Sequence, residues 1–230
     1  MSIDKKEPLF KNPIESNNGL SIDDLNKYLP AINKIQDLSM TANQMRDGLF
    51  LGLAIDGIKK IPNDSIDIII TEPPKSPLED INNSKKPITI QKYFEWNKNW
   101  LSESSRILKQ TGAIYLICGW NDSGMYQSLL NSFFKIQTRI TWRNPSPKNQ
   151  TSPLTWINRT SDIWFATKSD EFMFNQEAVT SEINNIKSNG PLELGITNLW
   201  SDIMDVQIGS TTKMEGDKPE QLIQRILTAS

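Results

Sequence analysis

Short apolar runs between turn-forming residues predict where the regular elements of this chain lie. Residues 66–70 hold four isoleucines and one aspartate, between an Asp-Ser pair and a Thr-Glu-Pro-Pro sequence. Such a run predicts a short β-strand buried on both faces, as in the middle of a parallel sheet. Residues 113–118 form a second apolar run, and residues 136–142 and 162–167 are predicted as two further strands.

Helices are predicted where apolar residues recur at three- and four-residue steps. The clearest case is residues 93–109, where Tyr, Trp, Leu and Ile form one apolar face between the first two predicted strands. Shorter helices are predicted at residues 54–60, 125–134 and 221–229, and another around residues 32–45. A strand, a helix and a strand at this spacing form a right-handed crossover unit, so the sheet is predicted to be parallel here.

Length and composition favour a single soluble domain. The chain has 230 residues, of which 37% are hydrophobic, and it contains no apolar run of membrane-spanning length and no signal-peptide-like N-terminus. Its one cysteine, Cys118, excludes an internal disulfide and lies in a predicted strand, which favours a buried structural thiol. We therefore expect a cytoplasmic protein with no membrane partner.

The complete absence of histidine limits the chemistry that this chain can perform. It excludes a Ser-His-Asp triad and the usual zinc sites, so no metal is expected. The formal net charge of −2 gives no overall signal for nucleic acid. Any such signal must therefore be local.

A rigid loop follows the first predicted strand at Glu72-Pro73-Pro74. The two prolines fix φ and remove two backbone donors, which leaves carbonyl oxygens and one carboxylate. In open α/β sheets, ligands bind at the carboxyl ends of the strands, where this loop is predicted to lie. The alternative is a strand-ending loop with a surface glutamate.

The segment of residues 135–168 is locally basic. Tryptophans at 142, 156 and 164 alternate with six basic residues against the single acid Asp162. Positive charge and planar side chains together suit phosphate neutralisation and base stacking. The alternative is a solvated basic hairpin with core tryptophans. The six basic residues are Lys135, Arg139, Arg143, Lys148, Arg159 and Lys168.

The order of these landmarks resembles the DNA amino-methyltransferases of the β arrangement, in which the catalytic motif precedes the methyl-donor motif. In that family a strand leads into Asp-Pro-Pro-Tyr or Ser-Pro-Pro-Tyr, and this chain has Glu72-Pro73-Pro74-Lys75. The resemblance covers about residues 45–230. Other matching segments are residues 51–58, 61–67, 100–109, 112–116, 139–143, 158, 162–165, 198–200 and 218–222.

The resemblance implies an α/β fold with a Rossmann-like, doubly wound, mostly parallel sheet and an antiparallel hairpin at one edge, incomplete as a methyltransferase fold. It implies site-specific DNA methylation, as in restriction–modification systems. S-adenosylmethionine would donate a methyl group to an exocyclic base amine, with adenine N6 favoured over cytosine N4 because the first motif residue is acidic. The base would be flipped out of the duplex onto an aromatic wall.

The resemblance also assigns residues to roles. The residues implied at the base amine are Glu72, Pro73, Pro74 and Lys75. Those implied at the methyl donor are Lys218 and Pro219. The candidates for contact with DNA phosphates are Arg139, Arg143, Lys148 and Arg159.

Several positions depart from the family pattern. Glu72 is longer than the family's Asp by one methylene, about 1.5 Å, and Lys75 replaces the stacking aromatic, so base capture is expected to use another residue. Leu53 stands where an acidic donor contact is common. The family's Asp-Pro-Phe-x-Gly-x-Gly donor loop does not occur up to Ser230, so the chain is expected to be truncated before it.

Three functional classes stay open, together with a division into three segments. The chain is expected to be a DNA methyltransferase or part of one, a non-catalytic DNA-binding or partner subunit that keeps the fold, or an RNA amino-methyltransferase. A second chain could complete the sheet. Residues 1–44 are predicted as an arm with short helices, 45–170 as the core, and 171–230 as a target-recognition-like segment with a terminal helix.

Overall fold

The computed structural model describes residues 23, 26–27, 29–35, 41, 45–46, 48–74, 88–143, 156, 158–186, 196–203 and 219–230. The chain divides into two compact units. The first comprises residues 1–62 and 207–217, and the second comprises residues 63–206 and 218–230. The division into segments 1–44, 45–170 and 171–230 stays a prediction.

The first unit contains a small parallel sheet and a helix. A 3₁₀ turn, Leu29–Ala31, leads into β1 (Ile32–Lys34), which pairs in parallel with β2 (Leu49–Leu51), and α1 spans Ala54–Lys60. The helix predicted for residues 54–60 is confirmed. The helix predicted around residues 32–45 is wrong at its start, because residues 32–34 pair with β2 instead.

Glycine permits the close packing of this first unit. Ile35 is buried, and a Cβ atom at Gly52 or Gly57 would lie 2.7 or 2.9 Å from its Cδ1 atom. The side chain of Ile35 therefore fills the space that the two glycines leave by having no Cβ atom. Local helix propensity does not predict this packing.

The second unit is built on a five-stranded sheet with the order β3-β4-β6-β5-β7. β3 and β4 are parallel, β6 is antiparallel to both β4 and β5, and β7 is parallel to β5. Four of the five strands thus run in one direction, which confirms the predicted mostly parallel sheet with a hairpin towards one edge. The strands are Ile66–Thr71 (β3), Leu108–Cys118 (β4), Lys135–Arg143 (β5), Thr160–Thr167 (β6) and Leu199–Trp200 (β7).

Helices cover both faces of this sheet, as expected for a doubly wound fold. The helices are Ile90–Ile107 (α2), Trp120–Phe133 (α3), Gln176–Ile186 (α4) and Glu220–Ala229 (α5). α2 and α3 lie on one face, where Trp164 Nε1 of β6 donates to Ser123 Oγ of α3 at 3.1 Å. On the other face, Leu222 and Ile226 of α5 join a buried cluster with Tyr115 of β4 and its neighbours. Among the described helices, none is long and apolar enough to cross a membrane.

The boundaries of α2 and β4 differ from those predicted. Thr89 caps the helix by accepting from the Lys92 backbone N–H at 3.2 Å, so α2 begins before Tyr93. The strand begins at Leu108 rather than at residue 113, and Gly112 lies inside β4, where a Cβ atom would be 2.8 Å from the Asp67 carbonyl oxygen. This glycine permits the close approach of β3 and β4.

A buried ion pair ties the segment after β7 to α5. Arg225 is 1% exposed, and its Nη1 and Nη2 atoms donate to the two carboxylate oxygens of Asp202 at 3.0 and 2.6 Å. Its guanidinium also lies 5.3 Å from the ring centre of Trp200. Burial acts to raise the pKa of Asp202, but the hydrogen bonds and charge of Arg225 outweigh it and hold that pKa below its ordinary value. Removing one partner of such a pair costs about 3–5 kcal/mol.

Candidate active site at the carboxyl edge of the sheet

The ends of four strands meet at one edge of the five-stranded sheet, here called the carboxyl edge. β3, β4 and β5 run in the same direction and end there at Thr71, Cys118 and Arg143, while the antiparallel β6 begins there at Thr160. The Pro-Pro loop, residues 72–74, therefore extends from the carboxyl edge, as predicted.

Within the loop, the structure separates an exposed carboxylate from a buried proline. Glu72 and Pro74 are exposed and Pro73 is buried. The hydroxyl of Tyr93 on α2 donates to the Pro74 carbonyl oxygen at 2.5 Å. No donor to the Pro73 carbonyl is found in the part of the chain that the structure describes. The Glu72 carboxylate and the Pro73 carbonyl are thus the loop's two candidate acceptors, while Lys75 lies outside the described residues.

A buried cluster of polar side chains stands behind the loop. Tyr93 Oη is 2.9 Å from Tyr126 Oη of α3, and Tyr126 Oη is 3.0 Å from Asn97 Oδ1. Trp100 Nε1 donates to the same Asn97 oxygen at 2.9 Å. Burial raises the pKa values of both tyrosines, so each keeps its proton at neutral pH. The sequence predicts an apolar helix face here and gives no signal of its contact with the loop.

Cys118, at the end of β4, is a protonated structural thiol. It is 6% exposed, and burial, followed by the negative charges of Asp162, Asp122 and Glu72, raises its pKa to about 12. A thiol with so high a pKa is a poor nucleophile at neutral pH. Among the described residues, no group of acidic or cysteine side chains could hold a metal ion.

The predicted phosphate contacts differ in their ion pairing within the described residues. Arg139 Nε lies 3.8 Å from Asp162 Oδ1 across the hairpin. Arg143 and Arg159 are exposed at the carboxyl edge, and neither has an ion pair within the described part of the chain. Lys148 lies outside that part. The carboxyl edge therefore carries two exposed arginines, at the ends of strands two and three places from β3.

The three tryptophans of the basic segment differ in burial. Trp142 and Trp164 are 2% and 5% exposed and belong to the core, whereas Trp156 is 95% exposed. The core interpretation of the tryptophans is therefore correct for two of the three.

One exposed aromatic at the carboxyl edge was not predicted as a site residue. Trp120 is the first residue of α3, directly after Gly119 at the end of β4, and is 62% exposed. Because β4 is the neighbour of β3, Trp120 follows the strand next to the Pro-Pro loop. Its signal in the sequence is the Gly119-Trp120-Asn121 segment, which directly follows the second apolar run.

Pro219, predicted to approach the methyl donor, caps the start of α5. At the other end of this helix, the Ala229 carbonyl accepts from the Asn175 backbone N–H at 2.9 Å, and Asn175 follows β6 at the opposite edge. A ten-residue helix is about 15 Å long, so the first turn of α5 points towards the carboxyl edge. Lys218 lies outside the described residues.

Comparison with solved structures shows which known fold this chain shares. PvuII DNA methyltransferase (cytosine-N4-specific) matches with a TM-score of 0.59 and 14% identity over 79% of this chain and 69% of that one. A putative DNA modification methylase from Thermus thermophilus, complexed with S-adenosyl-L-methionine, matches with a TM-score of 0.54 and 14% identity over 77% of this chain and 72% of that one. The fold is that of a DNA methyltransferase.

Residues 66–230 match the family model described as DNA methylase, of the N6/N4 type, and the chain belongs to that family. It is 28% identical to the type II methyltransferase M.HpaI of Haemophilus parainfluenzae over 81% of this chain and 60% of that protein. It is 22% identical to the DNA adenine methyltransferase YhdJ of Escherichia coli K12 over 78% of this chain and 65% of that protein. The chain thus spans under two thirds of each of these relatives. The resemblance seen in the sequence is confirmed; the roles of individual site residues stay predictions.

Proposed function

We propose that this protein takes part in methyl transfer from S-adenosylmethionine to an exocyclic amine of DNA, at adenine N6. The observation that carries this proposal is the pair of acceptors at the carboxyl edge, the Glu72 carboxylate and the Pro73 carbonyl, in a chain of the N6/N4 family. Adenine is favoured because the first residue of the loop motif is acidic, and cytosine N4 is the alternative. Relatives and fold neighbours include both kinds of enzyme.

The acceptors suit the chemical difficulty of the reaction. An exocyclic amine is a weak nucleophile because its lone pair is delocalised into the ring. Two oxygen atoms that accept hydrogen bonds from its two N–H groups would concentrate electron density on the nitrogen. They would also fix the orientation of the amine. The Glu72 carboxylate could also take the proton that the amine loses. Catalysis of this kind uses positioning and electrostatics, with no covalent intermediate.

The described groups at the carboxyl edge fit the methyl donor. When bound, the donor supplies a methyl group on a sulfonium cation, and the exposed Glu72 carboxylate and the carbonyls beside it have the charge and polarity that suit a cation. Pro219, in the turn of α5 that points to the same edge, is the described residue that we assign to the donor.

DNA would be held by the side chains that surround the loop. Neighbouring strands lie about 4.8 Å apart, which puts β6 and β5 roughly 10 and 14 Å from β3 along the edge. When a base is presented to Glu72, Arg159 and Arg143 can therefore reach phosphates a few nucleotides away along the DNA. With a lysine at position 75, we assign the stacking wall for a flipped base to Trp120.

The alternative is a DNA-binding or partner subunit that keeps the fold without transferring methyl groups. Two observations favour it: Glu72 is longer than the family's Asp, and β3 has a strand partner on one side only in the described part of the sheet. A second chain pairing with that side would complete the sheet.

Methyl transfer separates the two functions. The protein is incubated with unmethylated DNA of mixed sequence and S-adenosyl[methyl-³H]methionine, and label in DNA is counted. Glu72→Ala should lower the rate by about 10²–10³-fold, the usual effect of removing one preorganised electrostatic group. Glu95→Ala removes an exposed carboxylate of α2 and should leave the rate unchanged. Salt-dependent DNA binding with no transfer by the unsubstituted protein would establish the partner-subunit alternative.

A further inference from the structure

The hydrogen bond between the Pro-Pro loop and α2 has a direction that proton counting fixes. A carbonyl oxygen carries no proton, so the 2.5 Å contact between Tyr93 Oη and the Pro74 oxygen requires Tyr93 to donate. With its one proton used there, Tyr93 can only accept from Tyr126, 2.9 Å away. Asn97 Oδ1, which also carries no proton, lies 3.0 Å from Tyr126 Oη, so the single Tyr126 proton is shared between Tyr93 and Asn97. Tyr93 therefore donates to Pro74 whichever of these two partners the Tyr126 proton points to.

Tyr93 is itself held firmly by its surroundings. It is 1% exposed, and Asn97, which is fully buried, donates through Nδ2 to the Tyr93 backbone carbonyl at 2.9 Å. Its ring is stacked on Trp96, with 6.1 Å between ring centres and 16° between planes. A hydroxyl fixed by two helices is a rigid anchor, because moving it would disturb buried hydrogen bonds on both.

We propose that Tyr93 is a positioning residue for methyl transfer, which holds the Pro74 carbonyl so that the Pro73 carbonyl and Glu72 face the target amine. The inference rests on the proposed function. Ring closure fixes φ at both prolines, so the ψ angles are the remaining freedom of the loop. The hydrogen bond to Pro74 restricts one ψ, and burial of Pro73 restricts the other.

Two phenylalanine variants separate this role from general stability. Tyr93→Phe removes only the hydroxyl and keeps the ring on Trp96. Tyr115→Phe is the matched control, because Tyr115 is also 1% exposed and its hydroxyl bonds to Ser230 Oγ at 3.0 Å on the opposite face of the sheet. Each variant loses one buried, hydrogen-bonded hydroxyl, so similar decreases in Tm are expected.

Carbonyl NMR reports on the anchor without the methyl donor. The sequence contains two Pro-Lys pairs, Pro74-Lys75 and Pro147-Lys148, so labelling with [1-¹³C]proline and [¹⁵N]lysine gives two carbonyl–amide correlations. Lys148→Arg removes one and thereby assigns both. Because a carbonyl carbon moves upfield when its oxygen loses a hydrogen bond, Tyr93→Phe should shift the Pro74 signal upfield and leave the Pro147 signal in place. Tyr115→Phe should shift neither.

Steady-state kinetics then test the role in the reaction. With unmethylated DNA of mixed sequence, Tyr93→Phe should lower kcat by roughly 10–100-fold, since misplacement by about 1 Å can cost 10²-fold. The KM for DNA should not change, because the phosphate contacts remain. Tyr115→Phe should keep the kcat of the unsubstituted protein.

Three results would overturn the inference, and they are distinguishable. An unmoved Pro74 signal in Tyr93→Phe would show that the anchor is absent in solution. A shifted signal with the same kcat as Tyr115→Phe would show an anchor without a role in transfer. No transfer by the unsubstituted protein would overturn the proposed function together with the positioning role, before any substitution is made.

Discussion

At the residue scale, the loop could be predicted and its surroundings could not. Two prolines and a carboxylate after an apolar strand are visible in sequence, and the structure places Glu72 at the carboxyl edge. The anchor Tyr93 and the exposed Trp120 were not recognised. An aromatic on an apolar helix face is most often core, and only the packing of α2 against α3 shows that the Tyr93 hydroxyl reaches Pro74.

Trp120 gives a prediction at this scale. If it stacks on the flipped base, Trp120→Ala should lower kcat/KM for methyl transfer by about 10–100-fold, because base–aromatic stacking contributes about 1–3 kcal/mol. Trp120→Phe should recover most of the loss, since it restores a planar ring. Phe174→Ala, which removes a 40% exposed ring that follows β6 at the opposite edge of the sheet, serves as control and should match the unsubstituted protein. Equal losses in the Ala and Phe variants would exclude stacking as the role of Trp120.

At the scale of elements, a count of basic residues along the sequence overestimates how many of them are available to contact DNA. Of the basic residues in the hairpin segment, Lys135 pairs with Asp170 and Lys168 donates to the Ser105 carbonyl. These contacts join residues 35 and 63 positions apart, which no local pattern reveals. Arg143 and Arg159 remain outward at the carboxyl edge. Strand pairing, rather than composition, decides which charges are available.

The hairpin therefore predicts a defined salt dependence. Replacing Arg143 and Arg159 by Ala should make the slope of log Kobs for DNA against log salt shallower by about 1.8, as each lost phosphate contact removes about 0.9. Fluorescence anisotropy with a labelled duplex over a salt series measures this slope. The control pair Lys109→Ala and Lys135→Ala removes two charges at the opposite edge, where both lysines are in ion pairs. If both pairs change the slope equally, the carboxyl edge is not the DNA surface.

At the scale of the whole molecule, the α/β class and parallel core follow from periodicity, whereas several short or polar elements do not, among them β1 and α4. β1 has three residues and depends on pairing with β2. α4 is held by packing, because Val179 and Ile183 are buried with Ala229 of α5. Short or polar elements of this kind carry too few apolar positions to be recognised from a pattern.

The second unit should lose stability at alkaline pH. Burial raises the folded-state pKa values of Cys118 and Tyr115 to about 12 each, above their ordinary values of 9.0 and 10.0. A raised folded pKa contributes stability below the unfolded value and loses it as pH rises towards the folded one. The free energy of urea unfolding should therefore fall from about pH 9 to pH 12. In Cys118→Ala the free energy of unfolding should begin to fall at about pH 10, the ordinary pKa of tyrosine. If this variant begins to lose stability at the same pH as the unsubstituted protein, the Cys118 thiol titrates normally.

The insertion of β6 between β4 and β5 has a consequence for synthesis on the ribosome. β4 and β5 come first along the chain, yet each pairs with β6 and not with the other. A nascent chain that ends before Thr160 therefore holds two strands, β4 and β5, with their shared partner still missing. Since unpaired strand edges attract other chains, this interval of translation is when the protein depends most on chaperones. It ends only when residues 160–167 have emerged and closed the gap between their two neighbours.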